Sequence, residues 1–266
     1  MFHKGLMRCG MAKIIAVANQ KGGVGKTTTA VNLSACLAVK NRKVLLIDID
    51  PQGNATSGLG IDKNTVKSSI YDVIINEIDI EDTLLPTKIK NLMVSPSNIN
   101  LAGAEVELVS VISREMRLKM ALENIEDKFD FILIDCPPSL GLLTVNSLTA
   151  ANTILVPIQC EYYALEGLSQ LMNTVKIVQK HLNRNLRVEG VVLTMFDART
   201  NLSIQVVDEV KKYFGNKVYR TIIPRNVRLS EAPSYGLPII LYDEKSRGAE
   251  CYMELAEEVI ESSEQY

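Results

Sequence analysis

The sequence predicts an α/β fold: a doubly wound, mostly parallel sheet with helices on both faces. Two observations carry this. Short, nearly continuous apolar runs alternate from end to end with segments of helical periodicity, as in repeated β-α units. Three of those runs end in Asn19, in Asp48 and Asp50, and in Asp135, at the carboxyl edge where open sheets of this kind collect ligands.

In chain order, residues 1–10 (MFHKGLMRCG) precede the pattern and read as a disordered leader or an upstream start. Residues 11–266 are then expected to form one domain, with no linker, repeat or low-complexity tract. A strand over 13–19 enters a glycine-rich turn, and Ala30, Leu33, Leu37 and Ala38 mark a helix over 27–40. VLLIDID, residues 44–50, is apolar throughout, as a parallel strand buried on both faces should be. Residues 51–60 read as a loop, 68–76 as a helix, 92–95 as a strand and 104–127 as one long helix. FDFILID over 129–135 is a strand stopped by Pro137-Pro138. Beyond it come a helix (142–151), a strand (153–158), a helix (164–181), a strand (188–194), a helix (204–214) and a strand (218–223). An arginine-bearing loop (224–238) and a last helix (247–262) complete the pattern.

Composition narrows the function classes. The formal charge of −2 gives no global attraction to nucleic acid or to an anionic membrane, so such binding needs a local basic patch. The five cysteines form no C-x-x-C pair and read as thiols of a reducing cytoplasm. No apolar run reaches the roughly 18 residues of a membrane span. The C-terminal stretch carries Glu254, Glu257, Glu258, Glu261 and Glu264 and no lysine or arginine, unlike a membrane-lying amphipathic helix.

The chemistry concentrates in the loop Lys21, Gly22, Gly23, Val24, Gly25, Lys26, Thr27 and Thr28. Strand, glycine turn and helix make a phosphate cradle, because glycines let phosphate approach backbone N–H groups. Lys26 can reach the outer phosphates, and the Thr27 hydroxyl is placed to ligate Mg²⁺. The general string G-x-x-x-x-G-K-[ST] would put its first glycine at Gln20; a second lysine, Lys21, stands inside the loop instead. Asp135 is a natural partner for Mg²⁺ through water, the alternative being a helix N-cap. Of Asp48 and Asp50 only one is expected to face the γ-phosphate, and Asp50, nearer the loop, could orient the attacking water. Its alternative is a turn-starting Asp before Pro51. Cys136 reads as a buried small residue. Arg199, Arg225, Arg228 and Arg247 lie in loop-like stretches and suit phosphate recognition, or else form surface ion pairs with neighbouring glutamates.

KGGVGKTT, DIDPQGNATSGLG, DCPPSLGLLT, QCEYYALEGLSQL and IPRNVRLSEAP together resemble the ParA/Soj chromosome-partitioning ATPases, in the deviant-Walker-A branch of P-loop NTPases, over residues 11–262. The resemblance implies an ATPase that uses ATP and Mg²⁺ and forms an ATP-sandwich homodimer, with Lys21 reaching the partner's phosphates. It assigns Lys26 and Lys21 to phosphate, Thr27 and Asp135 to Mg²⁺, and Asp50 to the hydrolytic water. Pro224 and Asn226 fall near the adenine. Arg199 and Arg228 match arginines through which ATP-bound dimers of the family bind double-stranded DNA non-specifically, and Arg225 and Arg247 stay DNA-contact candidates from their loop positions. It further implies a ParB-type centromere-binding partner, the replication initiator DnaA as a second partner, and a cytoplasmic, nucleoid-associated location with no membrane partner. The alternative is a MinD-like membrane-cycling ATPase. Iron-protein-like and tyrosine-kinase relatives of the scaffold need cluster cysteines or a terminal tyrosine cluster, and the last stretch has only Tyr266.

Overall fold

The computed structural model describes residues 11–161 and 168–264. The expected leader, the start of the helix at 164 and Tyr266 lie outside the described residues. Eight strands form one sheet: β1 (Lys13–Val17), β2 (Val44–Asp48), β3 (Leu85–Pro86), β4 (Leu92–Ser95), β5 (Phe131–Asp135), β6 (Thr153–Gln159), β7 (Arg187–Phe196) and β8 (Val218–Pro224). Their order is β3-β4-β2-β5-β1-β6-β7-β8, with only the β3–β4 pair antiparallel. The chain winds outward one way through β2 and β4 and the other way through β6, β7 and β8. The crevice between the two directions opens at the carboxyl end of β1.

Alternation along each strand sorts the core. Ile14, Ala16, Leu45, Ile47, Ile132 and Ile134 face one layer of helices. Ile15, Val17, Leu46 and Leu133 face the other, where α1 (Lys26–Val39) buries Leu33 and Leu37. Each fully buried Leu contributes roughly 1.5–3 kcal/mol. By the same period of two, Asp48 and Asp135 fall on the α1 side of the sheet, level with each other on adjacent strands. Two carboxylates are thereby brought together under the glycine loop.

The sequence reading and the structure differ in four places. The expected loop at 51–60 contains a short helix, α2 (Asn54–Gly58), entered through Gly53 and tied by Thr56 to Asp48. After α3 (Ile70–Asn76), the short edge strand β3 was not expected. The single helix expected over 104–127 is broken into α4 (Leu101–Glu107), a following 3₁₀ turn and α5 (Arg117–Leu122). The break falls at Val111-Ile112-Ser113, where Val111 is extended and Ser113 has φ 55°; β-branched residues favour extended backbone over helix. Past α6 (Leu142–Ala150), α7 (Leu168–His181) and α8 (Asn201–Phe214), the expected loop at 224–238 holds α9 (Val227–Glu231). A 3₁₀ turn, α10 (Ile239–Tyr242) and α11 (Arg247–Glu264) follow. The glycines and prolines that suggested loop there punctuate short helices instead.

One crossing holds these short helices in place. At Gly236, φ 61°, an added Cβ would lie 2.8 Å from the Cα of Gly60. The turn after α2 and the turn before α10 therefore pack backbone to backbone. Gly236→Ala is expected to destabilise the fold by about 2–4 kcal/mol, from overpacking plus a left-handed φ. Urea denaturation checks this, and a loss under ~0.5 kcal/mol would contradict the crossing.

Candidate nucleotide site

The glycine loop is strapped to the sheet on both sides. Asn19, at the end of β1, is buried; its Nδ2 donates to the Pro157 carbonyl on β6 at 2.7 Å. Its Oδ1 accepts the Lys21 N–H at 3.1 Å. Thr194 on β7 donates its hydroxyl to the Val24 carbonyl at 2.8 Å. Gly22 and Gly23 are exposed, and Gly25, with φ 85°, turns the chain into α1. The loop's N–H groups and the α1 N-terminus together make an anion site. Lys26 is buried beneath it, its Nζ donating to the Lys21 carbonyl at 3.0 Å. Burial holds its pKa below the usual lysine value, against the raising effect of Asp135, Cys136 and Asp50. Lys21, outside the turn, is half-exposed.

Three carboxylates lie below the loop. Asp48 accepts from Thr56 N–H and Thr56 Oγ1, both at 2.7 Å, and from Asp50 N–H at 3.2 Å. Thr56 Oγ1 in turn accepts the Ser97 N–H at 3.0 Å. Asp48 is thus occupied in anchoring α2. Asp50 sits in the turn beyond, where its Oδ1 accepts the Gln52 N–H at 2.9 Å. Asp135 is fully buried, and neither of its carboxylate oxygens has a hydrogen bond among the described residues. The Thr27 hydroxyl faces it without reaching hydrogen-bond geometry. α6 begins at Leu142, so Asp135 caps no helix. Burial raises the Asp135 pKa well above the carboxylate range, the Asp48 charge adds to this, and Thr27 and Lys26 offset part. Cys136 is buried with its thiol pushed up to about 12 by burial.

Beside the loop a cavity of about 100 Å³ is lined by Gly25, Thr28, Met195, Pro224, Asn226 and Tyr252, among others. The structure therefore brings Pro224 and Asn226 to the P-loop from the far end of the sequence. Asn226 also caps α9, its Oδ1 accepting the Arg228 N–H at 2.8 Å.

The four arginines lie on neighbouring segments at this end of the sheet, and each is exposed and ion-paired. Arg199 pairs with Asp197, Arg225 with Glu161, Arg228 with Glu231 and Asp243, and Arg247 with Glu250 and Glu254.

A family model described as an AAA domain matches residues 12–188. The sporulation initiation inhibitor protein Soj of Bacillus subtilis is 66% identical over 249 residues, covering 94% of this chain and 98% of that protein. The chain belongs to the ParA/Soj family. The chromosome partitioning protein ParA of Myxococcus xanthus is 55% identical over 250 residues, covering 94% of this chain and 88% of that protein. Among solved structures, cobyrinic acid a,c-diamide synthase from Mycobacterium smegmatis, with bound ADP and magnesium, matches with a TM-score of 0.85 at 38% identity. That match covers 96% of each chain.

ParA/Soj proteins are P-loop ATPases, and the residues present here fit Mg²⁺. A fully buried carboxylate with no hydrogen-bond partner among the described residues, next to a threonine hydroxyl, is the donor set a hydrated divalent cation needs. The sequence reading of this ParA/Soj chain gave no role to the straps Asn19 and Thr194, or to Thr56, Met195 and Tyr252. Thr194 and Met195 are signalled by nothing local. Met195 adopts φ 52° where β7 falls out of register with β8, a feature visible only in the fold.

The carboxylate cluster makes a pH prediction for the nucleotide-free protein. Burial pushes the Asp48 pKa up to about 6 against its hydrogen bonds to Thr56 and Asp50. A carboxyl raised in the native state binds its proton more tightly when folded. Its contribution is present below the ordinary aspartate value near 4 and is lost as pH rises to about 6. Asp48→Asn keeps an acceptor for Thr56, so its stability relative to wild type should rise across that window. A difference that stays flat with pH in urea titrations would refute it.

Proposed function

We propose that this ParA/Soj chain, with residues 11–266 acting as one ATPase domain, is a Mg-ATP-dependent dimerising switch for chromosome or plasmid partitioning. In the ATP state the dimer binds double-stranded DNA without sequence preference. Hydrolysis, slow alone and stimulated by a ParB-type centromere-binding partner, releases it. The same cycle serves regulation of replication initiation through DnaA and sporulation-type control. The observation that carries the reading is the buried, unpartnered Asp135 carboxylate beside Thr27 and Lys26 under an anion-binding loop.

The residues divide the work. Lys26 leaves the Lys21 carbonyl to bind the outer phosphates, while the loop N–H groups and the α1 N-terminus take the remaining oxygens. The Thr27 hydroxyl and, through water, Asp135 would hold Mg²⁺, which would supply charge neutralisation for the bound phosphates. Asp50 orients the attacking water. Lys21 reaches the partner's nucleotide, its backbone fixed by Asn19. Pro224 and Asn226 border the adenine. Arg199 and Arg228, with Arg225 and Arg247, contact phosphates of the duplex.

A mixed-sequence duplex tested with an ATP analogue, with ADP and without nucleotide, at about 50 and about 200 mM salt, examines this directly. Binding is expected only with the analogue, and should weaken at the higher salt. Arg228→Glu should weaken it further at unchanged ATP affinity. Binding indifferent to nucleotide would overturn the switch. The acidic α11 docks on α1 through Tyr252, Leu255, Ala256 and Val259, which favours this reading over a membrane-cycling one. No described helix is long and apolar enough to cross a membrane.

A further inference from the structure

The arginine face is not a bare basic patch. Its four guanidiniums are matched by six carboxylates: Asp197, Glu161, Glu231, Asp243, Glu250 and Glu254. A surface shaped for phosphate affinity alone would carry an excess of positive charge. Here local charge is cancelled, in a chain that is itself slightly acidic.

Two of these acids are held in place. Asp197 takes Arg199 in a fork, Oδ1 from Nε at 2.9 Å and Oδ2 from a terminal guanidinium nitrogen at 2.7 Å. Its Oδ1 also accepts the Arg199 backbone N–H at 3.0 Å, so a tight turn fixes the acid against its partner. The acid side chain is 21% exposed, whereas the arginine is 87% exposed. Asp197 is thus the more sheltered member of the pair and Arg199 the more exposed. Glu231 Oε2 accepts from an Arg228 terminal guanidinium nitrogen and from the Tyr242 hydroxyl on α10, both at 3.0 Å. The two pairs sit on adjoining segments, since the Arg225 N–H donates to the Phe196 carbonyl and joins the end of β8 to the end of β7.

We propose that Asp197 and Glu231 are affinity-limiting residues of the DNA face. They hold Arg199 and Arg228 in intramolecular pairs that a DNA phosphate must displace. The inference rests on the DNA-binding reading above. Each displacement leaves a carboxylate behind, which takes up a cation from solution. The gain from releasing a counterion of the DNA is thereby cancelled, and both affinity and its salt dependence are reduced. The contact is kept weak enough to be lost when the ATP state ends.

The test compares wild type with Asp197→Asn, Glu231→Gln and the double variant. Each is measured for anisotropy binding to a mixed-sequence duplex with an ATP analogue over a salt series, and for nucleotide affinity as a fold control. An amide keeps the turn at Asp197 but removes the charge. Each substitution is expected to tighten binding by about two- to fivefold per protomer, the range of an exposed ion pair, and by the square of that in a dimer. The slope of log affinity against log salt should steepen by about 0.9 per carboxylate removed. Arg199→Glu supplies the opposite sign. Unchanged or weaker binding by the amide variants, while Arg199→Glu still weakens it, would overturn the inference and leave the DNA reading standing. That result would mean the acids orient the guanidiniums for phosphate. A wild type with no ATP-dependent binding would overturn the DNA reading and the inference together.

Discussion

Replacing Asp50 by alanine is expected to lower ATP turnover by about 10²-fold or more while nucleotide affinity stays within about threefold. The separation follows from where the residue sits. Asp50 touches none of the loop straps: Asn19, Thr194 and Lys26 bond elsewhere. Its Oδ1 serves only a local turn, the bond from Gln52 N–H, whose loss costs about 1 kcal/mol. Removing its charge also relieves Asp48 and Asp135, whose pKa values it helps to raise. The variant should therefore fold, bind Mg-ATP and remain in the ATP state. Single-turnover phosphate release together with fluorescent-nucleotide binding checks both halves. Turnover within tenfold of wild type would remove Asp50 from the hydrolytic role.

Gly22→Val is expected to abolish ATP-dependent dimerisation and, with it, DNA binding, at nearly unchanged affinity for ATP. The three loop glycines are not equivalent. Gly23 and Gly25 have φ of 72° and 85°, so a side chain at either strains the cradle itself. Gly22 lies outside that backbone region, is exposed, and an added Cβ there meets nothing within 4 Å. Within one protomer valine is harmless. In a nucleotide-sandwich dimer the two loops face each other, and a two-fold axis puts the intrusion in twice. Overpacking at about 1–3 kcal/mol per copy weakens the dimer by roughly 30-fold to 10⁴-fold. Sedimentation with an ATP analogue reads this out. A Gly22→Val dimer of normal affinity would place the interface elsewhere.

Much of the architecture was legible because parallel strands buried on both faces leave unmistakable apolar runs. KIIAV, VLLID and FILID are strands in the structure and end where the chemistry collects. What was hidden depends on contacts between distant segments. α2 forms where a Gly/Asn/Ser stretch reads as loop, because buried Asp48 accepts two bonds from Thr56, eight residues on. α9 is hidden among turn-forming residues; its cap Asn226 also lines the cavity beside the glycine loop, from the far end of the sequence. Among the candidate site residues, Lys26 and Thr27 stand out through the spacing of the glycine loop and Asp135 through its place at a strand end, whereas the role of Lys21 rests on the resemblance. Thr194 is an ordinary strand threonine until β7 is laid beside the glycine loop. The ion pairs on the arginines were half-visible: glutamates stand nearby in sequence, but the Asp197 fork and the Tyr242 brace on Glu231 require the fold.

Asn226 has a consequence that concerns equilibrium rather than geometry. One side chain borders the cavity beside the glycine loop and caps the helix that carries Arg228. Linkage is reciprocal: whatever factor nucleotide adds to the affinity for DNA, DNA must return to the affinity for nucleotide. Under the DNA-binding proposal, a chromosome is an effector of this ATPase as well as a surface that it binds. On that proposal the protein should bind its nucleotide more tightly on DNA than in free solution.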